Sequence, residues 1–212
     1  MINNVRRSRT AKAAIVAAAA ATAFAVGAGP ASADNAPSLA CGNTQPGPCS
    51  ETAHFSNENG LQTPLSGATN QTNCPSWVTD DYVLLAMSGN GVEHVTVNKA
   101  QDFWFTTTFT GDGTATFYPP SSIANLVLDD QGNVVSFDIV GPADATVTGH
   151  LTNWFGGSGN NKNAVFHGTI SLQGTDSSNN AVSVHSTQHQ NWTGTQMPFV
   201  DDPHNAFADV TC

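Results

Sequence analysis

From Trp77 onward the chain alternates between apolar and polar positions in short β-branched and aromatic runs. They are "YVLLAM", "VEHVTV", "DFWFTTTF", "TATFY", "NLVL", "VVSFDIV", "ATVTGHLTNWF", "AVFHGTISL" and "AVSVHSTQHQNW". Between them stand "SGNG", "GDG", "DDQGN", "GGSGNN" and "DSSNN", rich in residues that supply tight-turn backbone. A period of two punctuated in this way predicts antiparallel strands joined as an up-and-down meander. No helical period persists in this region. The expected fold is all-β, a closed or nearly closed β-barrel, with a β-sandwich as the alternative.

Alternation also sorts the side chains onto two faces. The core face takes Val95, Val97, Phe103, Phe105, Phe109, Phe117, Val135, Phe137, Ile139, Val147, Leu151, Phe166, Ile170, Leu172, Val182 and Val184. The opposite face takes His94, Thr96, Trp104, Thr106, Thr108, Thr148, His150, Thr152, Trp154, His167, Thr169, Ser171, Ser183, His185, Thr187 and His189. Threonine at that density suits a solvated strand surface.

The longest apolar run lies outside this region. Arg6, Arg7, Arg9 and Lys12 precede "AAIVAAAAATAFAV", and Ala31-Ser32-Ala33 follows as a small-x-small cleavage site. Residues 1–33 therefore read as a secretory signal peptide, too short in its apolar part to span a bilayer. Residues 34–76 are rich in Asn, Ser, Thr and Pro and carry no lasting period, which predicts a disulfide-tied arm. Residues 77–212 form the β-barrel domain. The expected product is secreted and extracellular, with no membrane span.

Cleavage changes the charge. The full chain has six basic and sixteen acidic residues, a net charge of −10. Loss of residues 1–33 leaves Lys99 and Lys162 against all sixteen acids, a net 2 − 16 = −14. Such a chain is repelled by nucleic-acid phosphates and anionic membrane surfaces, so no nucleic-acid partner is expected. Four cysteines remain, Cys41, Cys49, Cys74 and Cys212, and three connectivities are open to them. The "GNTQPGP" between Cys41 and Cys49 suits a local bridge, which would pair Cys74 with Cys212.

The histidines carry the candidate chemistry. A hairpin centred on "GGSGNN" sets His150 opposite His167. The next hairpin sets His185 either opposite His167 or one pair away from it. Directly opposed residues have Cβ atoms about 4.5–5.5 Å apart. His150, His167 and His185 are accordingly the candidate ligands for zinc or copper, bound through neutral imidazole. His189 lies four residues along the strand from His185, about 13 Å, too far to share an ion with it. Together with Trp104 and Trp154 it belongs to a candidate binding surface. The rival reading leaves all these histidines solvated on an inert face.

Other chemistries lack their residues. "GGSGN" breaks the nucleophile-elbow pattern at its last position. Only Glu51, Glu58 and Glu93 are available as glutamates, which serves a paired-glutamate glycosidase poorly, while Asp102 and Asp138 leave an aspartate variant open. "DDQGN" lacks the spacing and closing glutamate of an EF-hand.

Two stretches, "HVTVNKAQDFWFTTTFTGDGTATF" and "NAVFHGTISLQGTDSSNNAVSVHSTQH", together with a terminal cysteine, resemble small secreted actinobacterial proteins with no assigned activity. The resemblance covers most of residues 92–212. It implies secretion and a β-rich fold, and transfers no catalytic residue. The function expected is extracellular binding of a small apolar ligand or a cell-surface component, at a barrel mouth or on the Trp/His/Thr face. A small metal-dependent enzyme and a ligand-free structural protein of the cell envelope are the rivals.

Overall fold

The computed structural model describes residues 40–41, 47–62, 64, 70–100, 102–128, 134–160, 163–193 and 204–212. The expected leader at 1–33 and the "DDQGN" turn lie outside the described residues. The elements in chain order are β1 (Cys49–Gln62), β2 (Asn70–Thr72), α1 (Ser76–Asp80), β3 (Tyr82–Val97), β4 (Phe103–Tyr118) and a 3₁₀ turn (Pro120–Ser122). There follow β5 (Ile123–Leu128), β6 (Val134–Ile139), β7 (Ala145–Gly159), β8 (Asn163–Asp176), β9 (Ala181–Thr193) and β10 (His204–Thr211).

Eight strands form one sheet in the order β1-β3-β4-β7-β8-β9-β10-β2. Every ladder is antiparallel except the short parallel pairing of β2 with β10. Among the described residues no ladder joins β1 to β2, so the sheet is open and the expected closed barrel is corrected. Closure needs edge strands of matched length, and β2 has 3 residues where β1 has 14. The all-β, antiparallel character stands.

The sheet nevertheless coils. Glu58 on β1 reaches Asn153 on β7, three strands away, at hydrogen-bond distance. A flat sheet would hold those strands about 14 Å apart. Glycine makes the coiling possible: Gly113, Gly149 and Gly174 face one another across three strands. A Cβ on any of them would lie 2.1–2.2 Å from a backbone oxygen of the adjoining strand. The "SGNG" and "GDG" segments read as turns belong here. They lie in the middle of β3 and β4, paired with each other through Gly89 and Gly111 with no break in register. Each strand is therefore longer than its sequence punctuation implies.

The "GGSGNN" segment departs from expectation for a related reason. Gly156 to Gly159 continue β7 and do not turn. A Cβ at Gly157 or Gly159 would meet the ring of Phe105 or Phe103 at 2.5 Å, so these glycines make room for rings from β4. The turn moves toward Asn160, and the register of β7 on β8 moves with it. "DSSNN" does turn: Asp176 Oδ1 accepts the backbone N–H groups of Ser178 and Asn180, both at 2.8 Å.

Segment 49–62, expected within the arm, is a strand of the main sheet and contributes the buried Leu61. Both disulfides pair as the spacing suggested, Cys41 with Cys49 and Cys74 with Cys212. The second ties the chain beside α1 to the end of β10, where Val78 and Trp77 pack into the core against Phe117 and its neighbours. Strands β5 and β6 form a separate hairpin between β4 and β7. Val135 and Ile139, assigned to the core by alternation, are half exposed there, where among the described residues β5 and β6 pair only with each other.

Candidate functional site

The outer face of the sheet can be laid out in rows from its register. One row runs Thr52, His94, Thr106, Gly156, His167, His189. The next runs His54, Val92, Thr108, Trp154, Thr169, Thr187. Trp104 stands on the row before, flanked by Thr96 and Ser158. Two of the large hydrophobic side chains left exposed lie on this face, Trp104 at 45% and Trp154 at 40%.

Trp154 lies down because of its neighbour. A Cβ at Gly156 would sit 2.9 Å from Cζ2 of the indole, so the absence of a side chain lets the ring lie over the strand. That ring thereby reaches the row of His167, the direct partner of Gly156. Trp104 is propped differently, edge-to-face with His94 at 5.5 Å between centroids. His94 is itself fixed by hydroxyls, with Thr52 Oγ1 2.6 Å from Nδ1 and Thr96 Oγ1 3.1 Å from Nε2. The Trp104 indole is thus held from the side by His94, and the Trp154 indole has room to lie over Gly156.

The expected metal trio does not assemble. His150 is opposite Gln173, His185 is opposite Ser171, and His167 is opposite His189. Along β8 these positions put His185 about 13 Å and His150 about 20 Å from His167. The β7–β8 hairpin turns beyond the ring-packed glycines of β7, which carries His150 away from His167. The β8–β9 hairpin, centred within Asp176–Asn180, brings His189 rather than His185 opposite His167. His150 instead pairs with Asp112, Nδ1 to Oδ1 2.9 Å, and its Nε2 lies 3.1 Å from Thr110 Oγ1. His150 is half exposed and Asp112 largely so, and a contact in so much solvent contributes little to stability. His185 Nε2 lies 3.4 Å from Thr187 Oγ1.

The close pair is His167 with His189. Their Nδ1 atoms are 2.9 Å apart and their ring centroids 4.3 Å apart. Among the described residues no group of three or more His, Cys, Asp or Glu is placed to hold a metal ion together.

The inner face carries a second polar feature that alternation makes legible only in part. Two apolar clusters, one around Phe109 and one around Phe105, fill the concave side. Buried polar residues lie among them: Glu93 opposite Thr107 in one row, and in the row of Phe109 Asn153 and Ser186 on either side of Ile170. Burial pushes the Glu58 carboxyl up to about 7, against the opposing effect of its hydrogen bond from Asn153. Burial also pushes Glu93 up to about 7, helped by the negative charge of Glu51. Asp81, buried beside α1, rises to about 6 through desolvation and then through Asp144 and Asp80. Glu51 accepts the backbone N–H groups of Ala40 and Cys41 at 2.7 and 3.0 Å. Glu93 lies inward by the same alternation as Val95 and Val97, which is the signal that could have found it.

No protein-family model, curated protein or solved structure matches this chain. Among the described residues no helix is long and apolar enough to cross a membrane.

Proposed function

We propose that this chain is an exported glycan-binding protein that captures a neutral carbohydrate on the outer face of its coiled sheet. The observation that carries the reading is the exposure of Trp104 and Trp154 on one face, the first propped by His94 and the second lying over Gly156. A pyranose ring has an apolar C–H face and a rim of hydroxyls. An exposed indole offers a flat apolar partner to the first. Thr106, Thr108 and Thr169 surround it with groups that donate and accept hydrogen bonds to the second.

Charge narrows the ligand class. With sixteen acids against few bases, the chain disfavours sulfated, phosphorylated or uronate sugars. The two tryptophans stand on adjacent strands four positions apart along the ladder, about 13 Å. That span suits an oligomer better than a single sugar. The concave side is the less suitable surface for a ligand, because Phe109, Met87, Val95 and Val147 fill it with side chains that are almost wholly buried. Export is supported by the basic and apolar segments of residues 1–33 and by two disulfides, which persist in oxidising compartments.

The test is depletion of the full chain by insoluble chitin and cellulose, with tryptophan fluorescence followed against their soluble oligomers. Trp104→Ala and Trp154→Ala should each reduce the bound fraction severalfold. Retention on neither polymer, or retention that survives both substitutions, would overturn the reading.

A further inference from the structure

We propose that His167 and His189 form a binding site for a single divalent transition-metal ion, with copper preferred over zinc. The proposal stands apart from the glycan reading and needs no sugar. Its basis is the register of β8 on β9, which sets the two histidines directly opposite each other on the outer face. Their Nδ1 atoms approach to 2.9 Å, so one imidazole donates its N–H to the lone pair of the other. Two ring nitrogens converging in this way define a position for one cation, and the shared proton occupies it in the metal-free protein.

A metal ion fits with little rearrangement. Metal–imidazole bonds of about 2.0–2.1 Å at a tetrahedral angle separate the nitrogens by about 3.3–3.4 Å. The present spacing is short of that by about half an ångström, within reach of small side-chain rotations. Both histidines sit on long paired strands, so the backbone holds the pair while the rings adjust. His167 is exposed and His189 half-buried, which leaves the outward positions to water. The ion therefore has two protein ligands and an open coordination sphere.

The surroundings favour a cation. Asp209 on β10 is opposite Thr187, hence diagonal to His189 on the same face, at about 7–8 Å. The chain as a whole is strongly acidic. Imidazole ligands without thiolate select copper, zinc or nickel over calcium and magnesium, and the affinity order among divalent ions places copper above zinc.

The geometry also supplies a reporter. The Trp154 indole lies over Gly156, the register partner of His167, so a copper ion at the pair sits beside the ring and quenches its fluorescence.

The experiment is titration of chelator-treated full chain with Cu²⁺ and with Zn²⁺, by calorimetry and tryptophan fluorescence. One equivalent should bind, copper more tightly than zinc, and Trp154→Phe should remove most of the copper quenching. His167→Ala and His189→Ala should each weaken binding by at least about tenfold. His150→Ala and His185→Ala should leave it unchanged. Should either pair variant fail to fold, wild-type proton NMR decides: substoichiometric Cu²⁺ should broaden the ring signals of His167 and His189 before those of the other histidines. Absence of saturable binding, full binding by a folded His189→Ala variant, or earlier broadening at another histidine would overturn the proposal.

Discussion

The amide nitrogen of Asn153 lies 2.8 and 2.6 Å from the two carboxyl oxygens of Glu58, joining strands three positions apart across the concave side of the sheet. Asn153 Oδ1 is buried there without a hydrogen-bond partner. A protonated Glu58 resolves that deficit, since its hydroxyl can donate to the amide oxygen while the other oxygen accepts from the amide nitrogen. Burial, which holds the carboxyl pKa at about 7, and the orphaned oxygen both favour the neutral acid.

Stability should therefore fall as pH rises from about 5 to about 8. Glu58 and Glu93 ionise near their ordinary 4.5 in the unfolded chain and near 7 in the native protein. Between those values the native state binds more protons, so unfolding becomes easier with each step up in pH. The benefit is complete below the unfolded value and is lost through the native one. For Glu58 the difference is on the order of 2–3 kcal/mol. Denaturant titrations at pH 5, 6.5 and 8 measure it, and Glu58→Gln should flatten the slope by about its share. Stability that climbs across this range would contradict the assignment.

How far the sequence foretold this depends on the strand. Glu93 and Thr107 continue the parity of Val95 and Phe105, so their inward direction follows from counting alone. Glu58 does not, because the ladder of β1 on β3 shifts between Phe55 and Asn57 and the parity changes there. The strand character of β1 was hidden by its polar composition; it is an edge strand whose outward positions are Ser50, Thr52 and His54. The outer face was legible as a set of residues. Its pairings were not, because the glycines at the end of β7 resemble a turn while serving as space for phenylalanine rings. Correct parity with a displaced register kept the histidines on one face and exchanged their partners.

The two disulfides should differ in what they contribute. Cys74 and Cys212 are 138 residues apart in sequence, Cys41 and Cys49 only 8. On the chain-entropy account the long closure stabilises by about 4–5 kcal/mol and the short one by about 2–3 kcal/mol. Serine pairs at each bridge, compared by denaturant titration, should preserve that order. A smaller loss at Cys74 and Cys212 would show that the edge of the sheet near β2 is held by other contacts.

Gly149 and Gly156 both lie in β7, yet alanine should affect them unequally. At Gly149 the new Cβ would meet the backbone oxygen of Gln173 at 2.1 Å, and a paired strand has no room to withdraw. Gly149→Ala should lower stability by about 1–3 kcal/mol or more. At Gly156 the nearest atoms belong to the exposed Trp154 indole, which can swing aside. Gly156→Ala should therefore change stability little while shifting the tryptophan emission. Thermal melts and emission spectra of the two variants separate these outcomes.

Trp154 and Phe155 are adjacent in sequence and face opposite sides of the sheet. Phe155 is 3% exposed and stacks on Phe166 with centroids 5.8 Å apart, whereas Trp154 is 40% exposed. Phe155→Ala removes a ring from the interior and should lower stability by about 3–5 kcal/mol, since the surrounding strands relax only partly into the cavity. Trp154→Ala removes a partly exposed ring from the outer face, where solvent can fill the space, and should cost much less, about 1 kcal/mol. The contrast reads the two faces directly, because hydrophobicity alone would rank the larger tryptophan as the greater loss. Denaturant titration of both variants at pH 6 gives the comparison. Equal losses would mean that the Trp154 face is covered in solution and is not open to a ligand.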